Sequence, residues 1–97
     1  MNIQKMLQEA QKLQKKIKEF DNQVFDFNYK GLITFQMNGL GIITNLKISS
    51  DLIDKDDPET LQDVVVVAIN EARNEIEQKK NALQNSLTGG AMPKGFF

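Results

Sequence analysis

Hydrophobic positions along the chain change period twice. Ile3, Met6, Ala10, Leu13, Ile17, Phe20 and Val24 recur at steps of three and four. That is an a/d heptad seam, and it predicts a long amphipathic helix whose stripe is widened by Leu7. Such a helix, roughly 30–35 Å long at 1.5 Å per residue, overhangs any small sheet it packs on. From Phe25 the period drops to two. Phe25, Phe27 and Tyr29 alternate with Asp26 and Asn28; Ile33, Phe35 and Met37 alternate with Thr34 and Gln36. This is the pattern of strands with one dry and one wet face. Gly31 divides the first two strands. Asn38-Gly39 is a hairpin signal, because both residues tolerate the positive φ of a tight turn. Ile42, Leu46 and Ile48 are expected to share one face of a third strand, completing an antiparallel meander.

The helical period then returns. Leu52 and Ile53 fit one helical turn. Asp57 is placed to cap a second long helix, with Pro58 at its first position and Glu59 in its first turn. This helix is expected from Pro58 to about Ser86, with Leu61, Val64, Val65, Ala68, Ile69, Ala72, Ile76, Leu83 and Leu87 on one arc of about 140°. It includes four consecutive valines, Val64 to Val67, although β-branched residues favour strands. Period, cap and length all favour the helix. Val66 and Val67 then fall on the two shoulders of the arc, where a single sheet would leave them wet. The simplest second cover is another copy of the chain, with Val64, Val66, Val67, Ile17 and Phe20 as the candidate interface.

Length sharpens that expectation. With 97 residues the chain is read as one α-β-β-β-α domain, 1–87, followed by a glycine-rich tail, 88–97. The fold class is α/β in the α+β sense. So small a domain has a modest core and often adds a staple. The chain has no Cys and no His, which excludes disulfides, thiolate metal sites and the usual general base. Self-association is the staple left. The N-terminus has no uninterrupted apolar run, so neither a signal peptide nor a membrane span is expected, and the default location is the cytoplasm.

Charge is uneven although its sum is only −1. Residues 1–20 carry five Lys against two Glu, a net of +3, whereas residues 21–60 carry seven acids against three Lys, a net of −4. Lys5, Lys12, Lys15 and Lys18 fall on the side of the first helix away from its seam, with Lys16 flanking. A lysine-bearing helix back is ordinarily just solvated; here the balancing acids are only Glu9 and Glu19. Two such helices held rigidly by a dimer meet phosphates at several points and displace counterions. No catalytic constellation, phosphate-binding loop or calcium-loop spacing is present, so no enzyme activity, cofactor, metal or small-molecule substrate is expected. The acids Asp51, Asp54, Asp56, Asp57 and Glu59 are read as a helix cap and a solvated turn.

Three stretches carry a family likeness. "MLQEAQKLQKKIKEF" resembles the Gln- and Lys-rich first helix of the YbaB/EbfC family of bacterial nucleoid-associated proteins. "GLITFQMNGLGIITNLKISSDLI" is similar to that family's strand core, and "DPETLQDVVVVAINEARNEIEQ" to its last long helix, with Leu61, Asp63, Val64, Ala68, Asn70 and Ala72 in matching places. "GGAMP" resembles its tail. The likeness departs at "NYKG", where the family has a longer glycine-rich link, and at Ser49-Ser50, where it has Asp-Pro. The resemblance implies an intertwined α/β homodimer with protruding helical arms that binds double-stranded DNA, organises the nucleoid or regulates genes, and has no enzyme activity and no cofactor. Carried over by position, its DNA contacts fall on Lys5, Lys12, Lys15, Lys16 and Lys18, with Arg73, Lys79 and Lys80 as secondary contacts. A second reading remains: an adaptor or chaperone-like dimer that holds another helix in its apolar seam.

Overall fold

A computed structural model describes residues 2–87 of the chain; the expected tail, 88–97, with Phe96 and Phe97, lies outside the described residues. Helix α1 spans Ile3–Asn22, strands β1, β2 and β3 span Val24–Tyr29, Ile33–Asn38 and Ile43–Ile48, and helix α2 spans Pro58–Leu87. A single 3-10 turn, Ser50–Leu52, lies between β3 and α2 and buries Leu52. The strands form an antiparallel sheet in the order β1-β2-β3. This is the α+β meander between two helices that the periodicity predicts.

Both helices start where side chains can satisfy exposed amides. The Asn2 side chain accepts hydrogen bonds from the Gln4 and Lys5 amides at 3.0 and 3.4 Å. Asp57 accepts from the Thr60 amide at 3.3 Å and from its hydroxyl at 2.6 Å. These two bonds, the hydroxyl first, hold the Asp57 carboxyl below its ordinary value of 3.8. The cap's contribution is therefore complete above the ordinary pKa and fades as pH falls through the depressed one. Helix α1 stops at Asn22, before the last residue of the predicted heptad. Val24 instead opens β1 and pairs with Asn38, because the strand alternation from Phe25 onward claims it.

The core lies between α2 and one face of the sheet. Met37, Phe35 and Ile33 of β2 point into it, opposite Phe25, Phe27 and Tyr29 of β1. Phe27 stacks on Phe35 with ring centroids 5.4 Å apart. Ala68 and Ala72 are buried at the contact, and their small side chains let α2 approach the sheet closely. The valine run is helical. Its surplus apolar surface is real: Val66 is 57% exposed and Val67 40%.

Two local expectations are corrected. The β2–β3 turn places positive φ at Gly41 (85°), not at Asn38 or Gly39. Asn38 shapes this turn through its side chain, which accepts from the Leu40 and Ile42 amides at 2.9 and 3.0 Å. Strand β3 carries a bulge at Asn45, whose φ is 55°, where the register shifts between Thr34 and Gln36. The extra residue resets the alternation. Ile43, not Ile42, therefore faces Met37, while Ile48 faces Ile33.

Gly39 is required for a different reason from the turn. A Cβ built there would collide with the Phe20 carbonyl oxygen and approach its ring to 2.6 Å. The Gly39 amide also donates to the Gln23 carbonyl at 3.2 Å. The turn is thus clasped against the end of α1, where Phe20 is buried and packs 5.5 Å from Phe25. Gly39→Ala should destabilise the fold by about 1–3 kcal/mol, as overpacking does, measured by urea denaturation; an unchanged midpoint would show that this clasp is dispensable.

Candidate nucleic-acid interface

A six-residue strand is about 20 Å long, whereas α2, at 30 residues, is about 45 Å long. More than half of α2 therefore extends past the sheet, and α1 contacts it there. The Lys80 ammonium donates to the Asp21 carboxylate at 3.3 Å and ties the two helices together where they leave the body. Cover of the α1 seam fades outward. Phe20 is buried and Ile17 and Leu13 are half-buried, while Leu7, Met6 and Ile3 are exposed.

Along this arm Lys5, Lys12, Lys15, Lys16 and Lys18 are all exposed. At 100° per residue the first four share an arc of about 100° opposite the seam, and Lys18 sits on its flank. Lys16 lies 3.7 Å from Glu19, an exposed pair of small energetic consequence. Among the described residues, Lys5, Lys12, Lys15 and Lys18 have no ion-pair partner. The first turn of α1 contains no acid, so nothing there opposes the approach of a phosphate.

The secondary contacts differ from these. Lys80 is engaged by Asp21. The Lys79 ammonium lies 5.7 Å from the centre of the Phe25 ring, a cation–π contact. Arg73 is exposed on α2, beside a hollow it shares with Gly39, Leu40 and Gly41. Of the candidate interface residues, Phe20 lies in the core, Ile17 and Val64 are half-buried, and Val66 and Val67 are open. Leu46 and Ile48 on edge strand β3 are 45% and 37% exposed, so further apolar surface adjoins the sheet edge.

The face of the sheet turned away from α2 carries a feature that sequence reasoning missed. The Asn45 amide donates to Gln36 Oε1 at 2.6 Å, and Gln36 Nε2 donates to Asp26 at 2.9 Å. This chain of bonds crosses all three strands above a shallow groove of about 530 Å³ lined also by Asn28, Thr34 and Lys47. Its signal was the set of polar residues alternating with the core positions. The bulge that brings Asn45 into line left no comparable trace.

A two-layer α+β body with a lysine-faced helical arm defines a class of DNA-binding architecture rather than a catalytic one. The chain belongs to the YbaB/EbfC DNA-binding family, whose model matches residues 1–92. It is similar to a nucleoid-associated protein of Malacoplasma penetrans, 42% identical over 96% of this chain and 99% of that one. A nucleoid-associated protein of Ureaplasma urealyticum is 38% identical over 98% and 96% of the two chains, and one of Deinococcus radiodurans is 39% identical over 97% and 95%.

The two groups of cations should separate experimentally. Lys80→Ala should lower stability by up to about 1 kcal/mol and leave the salt dependence of DNA binding unchanged. Lys12→Ala should do the reverse, lowering the log–log salt slope by about 0.9. Urea melts and salt titrations of both variants check this; a slope lost in Lys80→Ala would reassign that residue to the DNA contact.

Proposed function

We propose that the chain is a nucleoid-associated protein that binds double-stranded DNA as a homodimer with little sequence preference, organising the nucleoid or regulating genes there. Its place is then the nucleoid, within the cytoplasm. Membership of a DNA-binding family supports the choice of partner, and the names of the relatives support the nucleoid. The observation that carries the reading is the row of exposed lysines on α1, opposed by only two acids in the same helix up to Phe20.

Lysine makes point contacts with phosphates, whereas base edges are read mainly by Arg, Asn and Gln. The chain has a single Arg, Arg73. Contact through lysines therefore favours the backbone over the sequence. The homodimer is supported by apolar surface that one subunit leaves open: Val66 and Val67 on α2, with Leu46 and Ile48 at the sheet edge. Two arms in one rigid assembly add their phosphate contacts, so affinity gains from pairing.

Affinity for unrelated duplexes should be similar and should fall by about 0.9 log units per log of salt for each phosphate neutralised. The triple variant Lys12→Glu, Lys15→Glu, Lys16→Glu should lose DNA in gel shifts while still sedimenting as a dimer. Retained affinity would remove the proposal. A stoichiometric protein partner insensitive to nuclease would favour the adaptor reading. Val66→Glu should yield a subunit that sediments as a monomer and binds DNA more weakly; a dimer of unchanged stability would take Val66 out of the interface.

A further inference from the structure

The α1 seam changes character along its length. Its inner part, Leu13, Ile17 and Phe20, is packed against the body, but Ile3, Met6 and Leu7 are 71%, 52% and 59% exposed. Ala10, also exposed, continues the same stripe. At 100° per residue this stripe lies on the opposite side of the helix from Lys5, Lys12 and Lys15. A duplex held by those lysines leaves the stripe facing away from it. Phosphate binding thus accounts for one side of the arm and leaves the other open.

We propose that this stripe pairs with the same stripe on the arm of another DNA-bound copy, joining neighbouring dimers once DNA has neutralised their lysines. The inference rests on the DNA-binding reading above. The a/d spacing Ile3, Met6, Ala10, Leu13, Ile17 is the seam by which helices of one sequence pack on each other. It continues a surface whose inner half is already packed within the subunit. The lysines decide when pairing occurs. Each bare arm carries a net +3 over residues 1–20. Packed helices lie about 8–10 Å apart, comparable with the screening length of about 8 Å at physiological salt. Bare arms therefore repel, and arms covered by phosphate do not. A different protein, or the chain's own residues 88–97, would cover the stripe whether or not DNA was present.

The chain has no cysteine, so a single introduced thiol reports cleanly on the seam. Ala10→Cys in the full chain is treated with a short bis-maleimide, with and without a duplex long enough for several dimers. Cross-linking between copies should rise several-fold on DNA. Adding Ile3→Glu and Leu7→Glu should abolish that rise and turn a steep binding isotherm into that of independent sites, with the salt slope unchanged. Equal cross-linking without DNA would overturn the proposal, as would bound DNA without cross-linking. If Ala10→Cys and the natural chain both leave DNA unshifted, the DNA-binding reading fails, and this inference with it.

Discussion

Phe20 sits where the arm meets the body, and its burial sets what the rest of α1 can do. Its ring packs on Phe25, its backbone lies against Gly39, and the next residue, Asp21, takes the Lys80 ammonium. These contacts come from three elements, β1, the β2–β3 turn and α2. Together they fix the direction in which the helix departs. Residues outward of Leu13 then contribute little to the core. Their side chains are open to selection for binding, with lysines on one side and an apolar stripe on the other.

The same economy appears in the sheet. Strand β2 carries the core, with Ile33, Phe35 and Met37 nearly inaccessible. Alanines at 68 and 72 bring α2 down on this strand, leaving the edge strand β3 only partly covered. Its apolar side chains, with the open valines of α2, make the isolated subunit greasier on one flank than a small soluble domain needs to be. Dimerisation and core formation thus draw on one run of residues. The valines that seem misplaced in a helix make sense as part of a surface with two covers.

What was legible in the residues was whatever obeys a period. The heptad of α1, the alternation of β1 and β2 and the capped start of α2 all appear where spacing placed them, because each is set by local sterics and by which side must be dry. The lysine side of the arm follows from the same arithmetic. The misses are all places where a contact between distant residues outweighs local preference. Val24 leaves the heptad to pair with Asn38. Gly39 is glycine because of Phe20, not because of its own φ. The bulge at Asn45 moves the inward role from Ile42 to Ile43.

The sequence by itself determined the order of elements, the separation of charge from apolar surface on α1 and the absence of thiol and imidazole chemistry, since these depend only on residue type and spacing. Tertiary structure decided which cations are engaged within the chain. Lys79 and Lys80 look like Lys12 and Lys15 on paper, yet they lie against Phe25 and Asp21 because packing carries α2 past those residues. It also decided where the seam of α1 runs out of cover. That limit is set by how far the arm projects beyond the body that would bury it, a distance no local pattern encodes.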